Sequence, residues 1–320
     1  MTKPSPWSFP VELQPPESEP LPAADSVVQL RAEIPDDAFT AGILGTERIG
    51  NGVVLAEENL ILTVGYLVTE AETLWITTND GRVVQGYPLA YDFITGFGLV
   101  QALGPLHLPG LARGTAASVT VDSPATVVGH GGRAHTLRAK ILAKREFAGY
   151  WEYVLDEALF TVPAHPEWGG AALLNAEGQL VGIGSLLVQE MDGDSSVQGN
   201  MFVPIDLLEP ILQDLRTIGR SSAPARPWLG MYTTEQDGQL VIAGLAPGGP
   251  GERGGAHAGD MVLEVAGRRV ATLADLFRNV WQLGSAGTEV PLTLAREGSV
   301  VRVLLKSADR HDFLRKPRLH

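Results

Sequence analysis

From about residue 38 to residue 205 the chain is written as short apolar runs alternating with turn residues, the pattern of many short β-strands. Leu74-Trp75-Ile76-Thr77 is followed by Asn79-Asp80-Gly81, a hairpin-turn signal because that type of turn needs positive φ. Ser118-Val119-Thr120-Val121 and Gln179-Leu180-Val181-Gly182-Ile183 read as further strands. The first long helical pattern comes only afterwards. Leu208, Ile211, Leu212 and Leu215 fall on one face, with Asp206 placed to cap them. A mainly β fold closed by one C-terminal helix is the expectation for this segment.

The flanks have a different character. Residues 1–37 cluster Pro, Glu and Asp and are expected to form a mobile acidic arm. Trp7 and Phe9 stand out within it, either as part of an exposed tail or as an anchor for a neighbouring subunit. Residues 219–226 (GRSSAPAR) read as a linker between a domain at 38–218 and a second unit at 227–308, with a basic tail at 309–320. In the second unit Leu273, Leu276, Phe277, Val280 and Trp281 recur at helical spacing, and Thr272 with Asp275 forms a near capping box. Strands are predicted at Gln239–Ala243, Met261–Val265, Pro291–Ala295 and Val300–Leu305.

A formal net charge of -13 over 320 residues argues against nucleic acid and anionic membrane surfaces as main partners. With no cysteine, disulfides, thiolate metal sites and a Cys nucleophile are excluded. As a metal pair His130 and His135 lack a carboxylate at metal-motif spacing, so neither a metal nor another cofactor is expected. No stretch reaches the roughly 18 apolar residues of a membrane span. Met1 to Asp25 has no apolar core behind a basic start, which gives the expectation of a cytoplasmic protein.

Glu167-Trp168-Gly169-Gly170-Ala171-Ala172-Leu173-Leu174-Asn175 resembles the nucleophile loop G-N-S-G-G-P-L-L-N of trypsin-like proteases, with Gly169 at the serine. Gly50-Asn51-Gly52-Val53-Val54 resembles an entry strand G-S-G-V-V, and residues 60–68 resemble Y-I-L-T-N-N-H-V-V. Residues 92–100 resemble D-x-x-T-D-L-A-V-L, residues 202–206 F-A-I-P-x-D, and residues 226–231 R-P-W-L-G-I. In this order the segments resemble the HtrA/Deg-type bacterial serine proteases with one C-terminal PDZ domain. The resemblance implies a two-barrel trypsin-like (chymotrypsin fold) domain followed by a PDZ domain.

Carried over by position, the resemblance puts the triad base at Tyr66, the orienting carboxylate at Gly96 and the nucleophile at Gly169. A phenol of pKa about 10 is a poor base at neutral pH, and glycine supplies neither carboxylate nor nucleophile. Glu167 and Trp168 alter the oxyanion loop, where Gly's backbone freedom is normally used. The PDZ unit keeps its recognition features. A nest of backbone N–H groups is implied at Trp228-Leu229-Gly230-Met231, with Leu276 and Val280 as candidate groove residues on a helix face that is otherwise core, at least at Phe277 and Trp281.

The expected function is therefore a catalytically inactive HtrA-like scaffold, chaperone-like factor or regulator that takes C-terminal peptides or unfolded proteins through its PDZ domain. The alternatives are an active endopeptidase with an unrecognised site, or a regulatory subunit of an active protease paralogue. A homo-oligomer, a trimer by resemblance, is implied as well.

Overall fold

The computed structural model describes residues 22–57, 59–192 and 195–316, which form two compact units. Trp7 and Phe9 lie outside the described residues. Among the described residues no helix is long and apolar enough to cross a membrane.

The first unit holds two closed six-stranded barrels. Strands β1 (Val27–Glu33), β2 (Glu47–Val54), β3 (Leu60–Val64), β4 (Thr73–Thr77), β5 (Val83–Tyr91) and β6 (Phe97–Ala102) close in the order β1-β2-β3-β6-β5-β4. The second barrel comprises β7 (Pro124–Val128), β8 (Thr136–Gly149), β9 (Tyr153–Val162), β10 (Ala172–Leu174), β11 (Leu180–Asp192) and β12 (Ser195–Pro204). Full closure leaves no free sheet edge in either barrel. Each interior is filled by apolar side chains, Phe97 and Leu99 in the first, Phe202 and Leu173 in the second.

Three sequence expectations need correction here. The acidic arm does not run to residue 37, because Val27, Val28, Leu30 and Ala32 are buried and β1 pairs with both β2 and β4. Ser118-Val119-Thr120-Val121 is not a strand: Ser118 ends a 3-10 turn over residues 116–118, and β7 begins only at Pro124. Asp206 caps no helix. Its carboxylate accepts from the Ala116 N–H at 2.5 Å and from the Thr115 hydroxyl, while the helix Glu209–Ile218 starts after Leu208 without a side-chain cap.

The second unit consists of residues 222–314 together with Glu146–Asp156, the turn end of the β8–β9 hairpin. Its sheet runs β13 (Met231–Gln236), β14 (Gln239–Leu245), β15 (Met261–Val265), β17 (Glu289–Arg296), β18 (Ser299–Lys306), with β16 (Arg268–Arg269) paired to β15. The helix Leu273–Trp281 begins at Thr272, whose hydroxyl accepts from the Asp275 N–H. Its apolar face, with Leu276, Phe277 and Val280, packs with Ile242, Val262 and Leu292 in one core.

The hairpin end belongs to that same core, contributing Val154 and the partly buried Ala148. The start of the supposed basic tail is also built in. Residues 310–313 form a 3-10 turn, and the Phe313 ring stacks edge-on to Trp228 at 4.8 Å. A fragment of residues 222–314 is accordingly expected to melt at a lower temperature than the second unit of the intact chain, since it lacks part of its core. Calorimetry on both checks this, and equal transitions would show that the hairpin end adds no stability.

Candidate functional site

Where the peptidase resemblance places a catalytic centre, the first unit has a cleft of about 590 Å³. Tyr66, Leu67, His130, His135, Glu167, Trp168 and Gly169 line it, with Gln29 and Asn51 also at the wall. Tyr66 stands on a short helix, Gly65–Val68, directly after β3. Its hydroxyl donates to the Ser185 carbonyl at 2.8 Å. Burial, and then the neighbouring Tyr91 phenol, push its pKa upward, so the phenol holds its proton ever more firmly. Such a group cannot take a proton from a nucleophile near neutral pH.

Gly169 lies against this hydroxyl. A Cβ built on Gly169 would stand 3.2 Å from Tyr66 Oη, so the fold brings positions 66 and 169 together as a base and nucleophile would be. Gly96 is close by in the chain's hydrogen bonding, its carbonyl accepting from the Gly65 N–H at 2.8 Å. Its φ of +84° closes a turn that begins at Asp92. The Asp92 carboxylate offers no substitute orienter. It is buried and accepts from both the backbone N–H and the hydroxyl of Thr95, each at 2.8 Å.

The loop before Gly169 is held by its own hydrogen bonds. The Glu167 N–H, which by the family resemblance takes the place of an oxyanion donor in a loop expected to be altered, donates to His165 Nδ1 at 3.1 Å. With Nδ1 accepting, His165 Nε2 carries the proton and donates to the His135 carbonyl at 3.1 Å. The ring is fully buried, and that burial pulls its pKa down, which keeps it neutral in this role. On the solvent side the Glu167 carboxylate meets His135 Nδ1 at 2.9 Å, with both side chains well exposed. Trp168 is half-buried in the cleft wall.

Asn51 is a residue whose role sequence reasoning missed. Its amide donates to the carbonyls of Glu167 at 2.8 Å and Gly169 at 3.1 Å, and its Oδ1 accepts from the His130 N–H at 2.7 Å. One side chain thus ties β2 to both loops of the second barrel that face the cleft. Its place between Gly50 and Gly52 was the available signal, because flanking glycines permit close backbone approach. Among the described residues no group of three or more His, Cys, Asp or Glu is arranged to hold a metal ion.

In the second unit, the N–H groups of Leu229 and Met231 converge on a carboxylate. That carboxylate is Glu152 of the hairpin turn, accepting from Leu229 at 3.0 Å and from Met231 at 3.0 Å. Sequence reasoning missed Glu152; the lone carboxylate within the aromatic cluster Tyr150-Trp151-Glu152-Tyr153 was the available signal. Leu276 and Val280, expected to wall an open groove, are instead buried at 0% and 2% exposure. The physical reason is that they sit in the core cluster that also takes in Val154 of the hairpin.

Burial raises the Glu152 carboxyl from its ordinary 4.5 to about 7, opposed by the N–H bonds of Leu229, Met231 and Gly230 and by the nearby Arg310. Tyr232 and Tyr150 are the other titratable groups facing this corner. A carboxyl raised in the folded state takes up a proton on folding between those two values. Its contribution is therefore complete below about pH 4.5 and lost as pH rises through about 7. Thermal unfolding across this range should show the second unit losing stability with rising pH. Glu152→Gln should flatten that slope, and an unchanged slope would assign it to other groups.

Comparison with known proteins agrees with these two units. Residues 50–183 match the trypsin-like peptidase domain family and residues 227–306 the PDZ domain family. The chain thus combines a trypsin-like peptidase domain with one PDZ domain in a mostly β architecture. Its relatives are DegP/HtrA-type serine endoproteases. One, the "Probable periplasmic serine endoprotease DegP-like" of Halomonas elongata, is 26% identical over 277 residues, covering 82% of this chain and 57% of the relative. The "Periplasmic pH-dependent serine endoprotease DegQ" of Escherichia coli is 25% identical over 272 residues, covering 80% of this chain and 58% of the relative.

The chain spans a little over half the length of these curated relatives. Among solved structures, the HtrA-type protease AlgW with a decapeptide superposes with a TM-score of 0.53 at 19% identity, covering 92% of this chain and 97% of AlgW. The serine endoprotease from Yersinia pestis gives a TM-score of 0.51 at 20% identity, covering 90% and 95%. Relatives named periplasmic overturn the expectation of a cytoplasmic location, which rested on the N-terminal sequence alone.

Proposed function

We propose that this chain is a catalytically inactive HtrA-like protein that binds polypeptides through its PDZ domain and acts as a scaffold, chaperone-like factor or regulator. One observation carries the reading: the residue against the Tyr66 hydroxyl is Gly169, where acyl transfer requires an oxygen nucleophile beside a base. The ligand class is a peptide ending in a free carboxylate after an apolar residue, recognised by the N–H groups of the Trp228–Met231 turn. Peptide-bound AlgW supports this by likeness of fold. The names of the relatives favour a periplasmic setting. A trimeric assembly and an active protease paralogue as partner rest on the family resemblance alone.

The test has two arms on the full chain. A labelled fluorophosphonate should leave it unmodified while modifying an active trypsin-like protease beside it. A fluorescent peptide with a free C-terminal carboxylate should bind more tightly than the same peptide amidated. Covalent labelling would overturn the inactive reading, and equal binding of the two peptides would overturn carboxylate capture.

A further inference from the structure

The second unit presents what an incoming peptide needs, and the hairpin end engages part of each element. A peptide added to a sheet edge requires a strand with free N–H groups, a donor nest for its terminal carboxylate and a helix as the opposite wall. Strand β13 is the edge of its sheet, beginning at the Leu229–Met231 turn. The hairpin end lies along it. The Glu152 carboxylate fills the donor nest, and two residues earlier the Tyr150 carbonyl accepts from the Thr233 N–H of β13 at 3.2 Å. From the helix, Arg278 pairs with Glu146 at 2.5 Å and with Asp156 at 2.5 Å, one on each strand of the hairpin. Arg310 adds a bond to the Trp151 carbonyl at 3.3 Å.

We propose that residues 150–152 are an internal pseudo-ligand, so that a C-terminal peptide reaches the PDZ groove only by displacing the hairpin turn. The correspondence is chemical. A side-chain carboxylate and a chain-terminal carboxylate present the same two oxygens to the same pair of N–H groups, and Tyr150 supplies the strand pairing that a peptide backbone would. Glu152 is the last residue of the three-residue turn between β8 and β9, and its φ of +62° is the left-handed conformation that closes such a hairpin. The ion pairs of Arg278 are exposed enough to be weak individually. The contacts of residues 150–152 at the nest and the strand edge are therefore ones that a carboxylate-ended peptide could replace, while Val154 keeps the base of the hairpin in the core.

This inference rests on the peptide-binding reading given above, and the experiment separates the two. A fluorescent peptide ending in a free apolar residue is titrated against the full chain, against Glu152→Ala and against Arg278→Ala, with the amidated peptide as control. If the hairpin occupies the groove about nine-tenths of the time, apparent affinity is reduced about tenfold, so Glu152→Ala should bind about tenfold more tightly or better. Arg278→Ala loosens the hairpin without touching the nest. It should tighten binding in the same direction, and it carries the test should Glu152→Ala not fold. The amidated peptide should gain nothing from either change. Equal affinities for the unaltered chain and both variants would overturn the pseudo-ligand while leaving peptide binding standing. No binding by any of the three would overturn peptide binding itself, and the inference with it.

Discussion

Restoring the nucleophile by Gly169→Ser is expected to produce no measurable casein hydrolysis between about pH 5 and pH 9, the range in which a His-based triad works. Without a base, a lone serine falls on the order of 10⁶-fold below an intact triad, because the three groups act as a unit. Adding Tyr66→His and Gly96→Asp should also fail, for reasons visible in the structure. Gly96 holds φ of +84°, so a carboxylate-bearing residue there is strained and its side chain leaves in a direction set by that turn. The Glu167 N–H is committed to His165 Nδ1 at 3.1 Å rather than free for an oxyanion. Loss of one oxyanion donor alone costs about 10²–10³ in turnover. Release of labelled casein by the triple variant, freed of contaminating protease, would show that the loop reorganises on demand and that the remodelling is shallow.

Gly170→Ala is expected to be among the most damaging single changes in the first unit. Gly170 has φ of +76°, and a Cβ there would stand 1.8 Å from the Asn51 carbonyl oxygen and 2.6 Å from Thr63 Oγ1. The obstacle is backbone, not a mobile side-chain tip. Moving it would pull β2 away from the loop, where the Asn51 N–H donates to the Gly169 carbonyl at 2.7 Å. Strained φ and overpacking together put the cost at about 3 kcal/mol or more. Gly178→Ala is the control. It has a similar φ of +74° but no atom within 4 Å of the added Cβ, so only the strain of about 1 kcal/mol applies. Urea unfolding of both variants decides the matter, and similar midpoints would mean that β2 and the loop do not meet as closely as described.

Four strands of the second unit were legible in the sequence because their apolar runs are local and bounded by turns, as at Met261–Val265, whereas the polar run of β13 went unread. The Thr272 cap was legible for the same reason, since both partners lie three residues apart. Misreadings came where a distant partner intervened. Residues 116–118 turn because the Asp206 carboxylate, 90 residues away, takes the Ala116 N–H. β1 was hidden because its seven residues follow a Pro- and Glu-rich stretch, and only pairing with β2 and β4 gives its alternation a meaning.

By itself the sequence determined which atoms are present at positions 66, 96 and 169, and so which reactions those positions can support. A missing hydroxyl or carboxylate is a fact of covalent structure, and no folding can supply it. Only the tertiary structure decided what the remaining groups face. The Trp228–Met231 turn reads as a nest of N–H donors from its residues, but the carboxylate that fills it comes from Glu152, 77 residues from Leu229. Leu276 and Val280 have the spacing of groove residues, yet the same spacing serves a core once Val154 is part of it. Local pattern sets a side chain's face of a helix or strand, whereas its partner depends on contacts between segments far apart in the chain, which leave no periodic trace in the sequence.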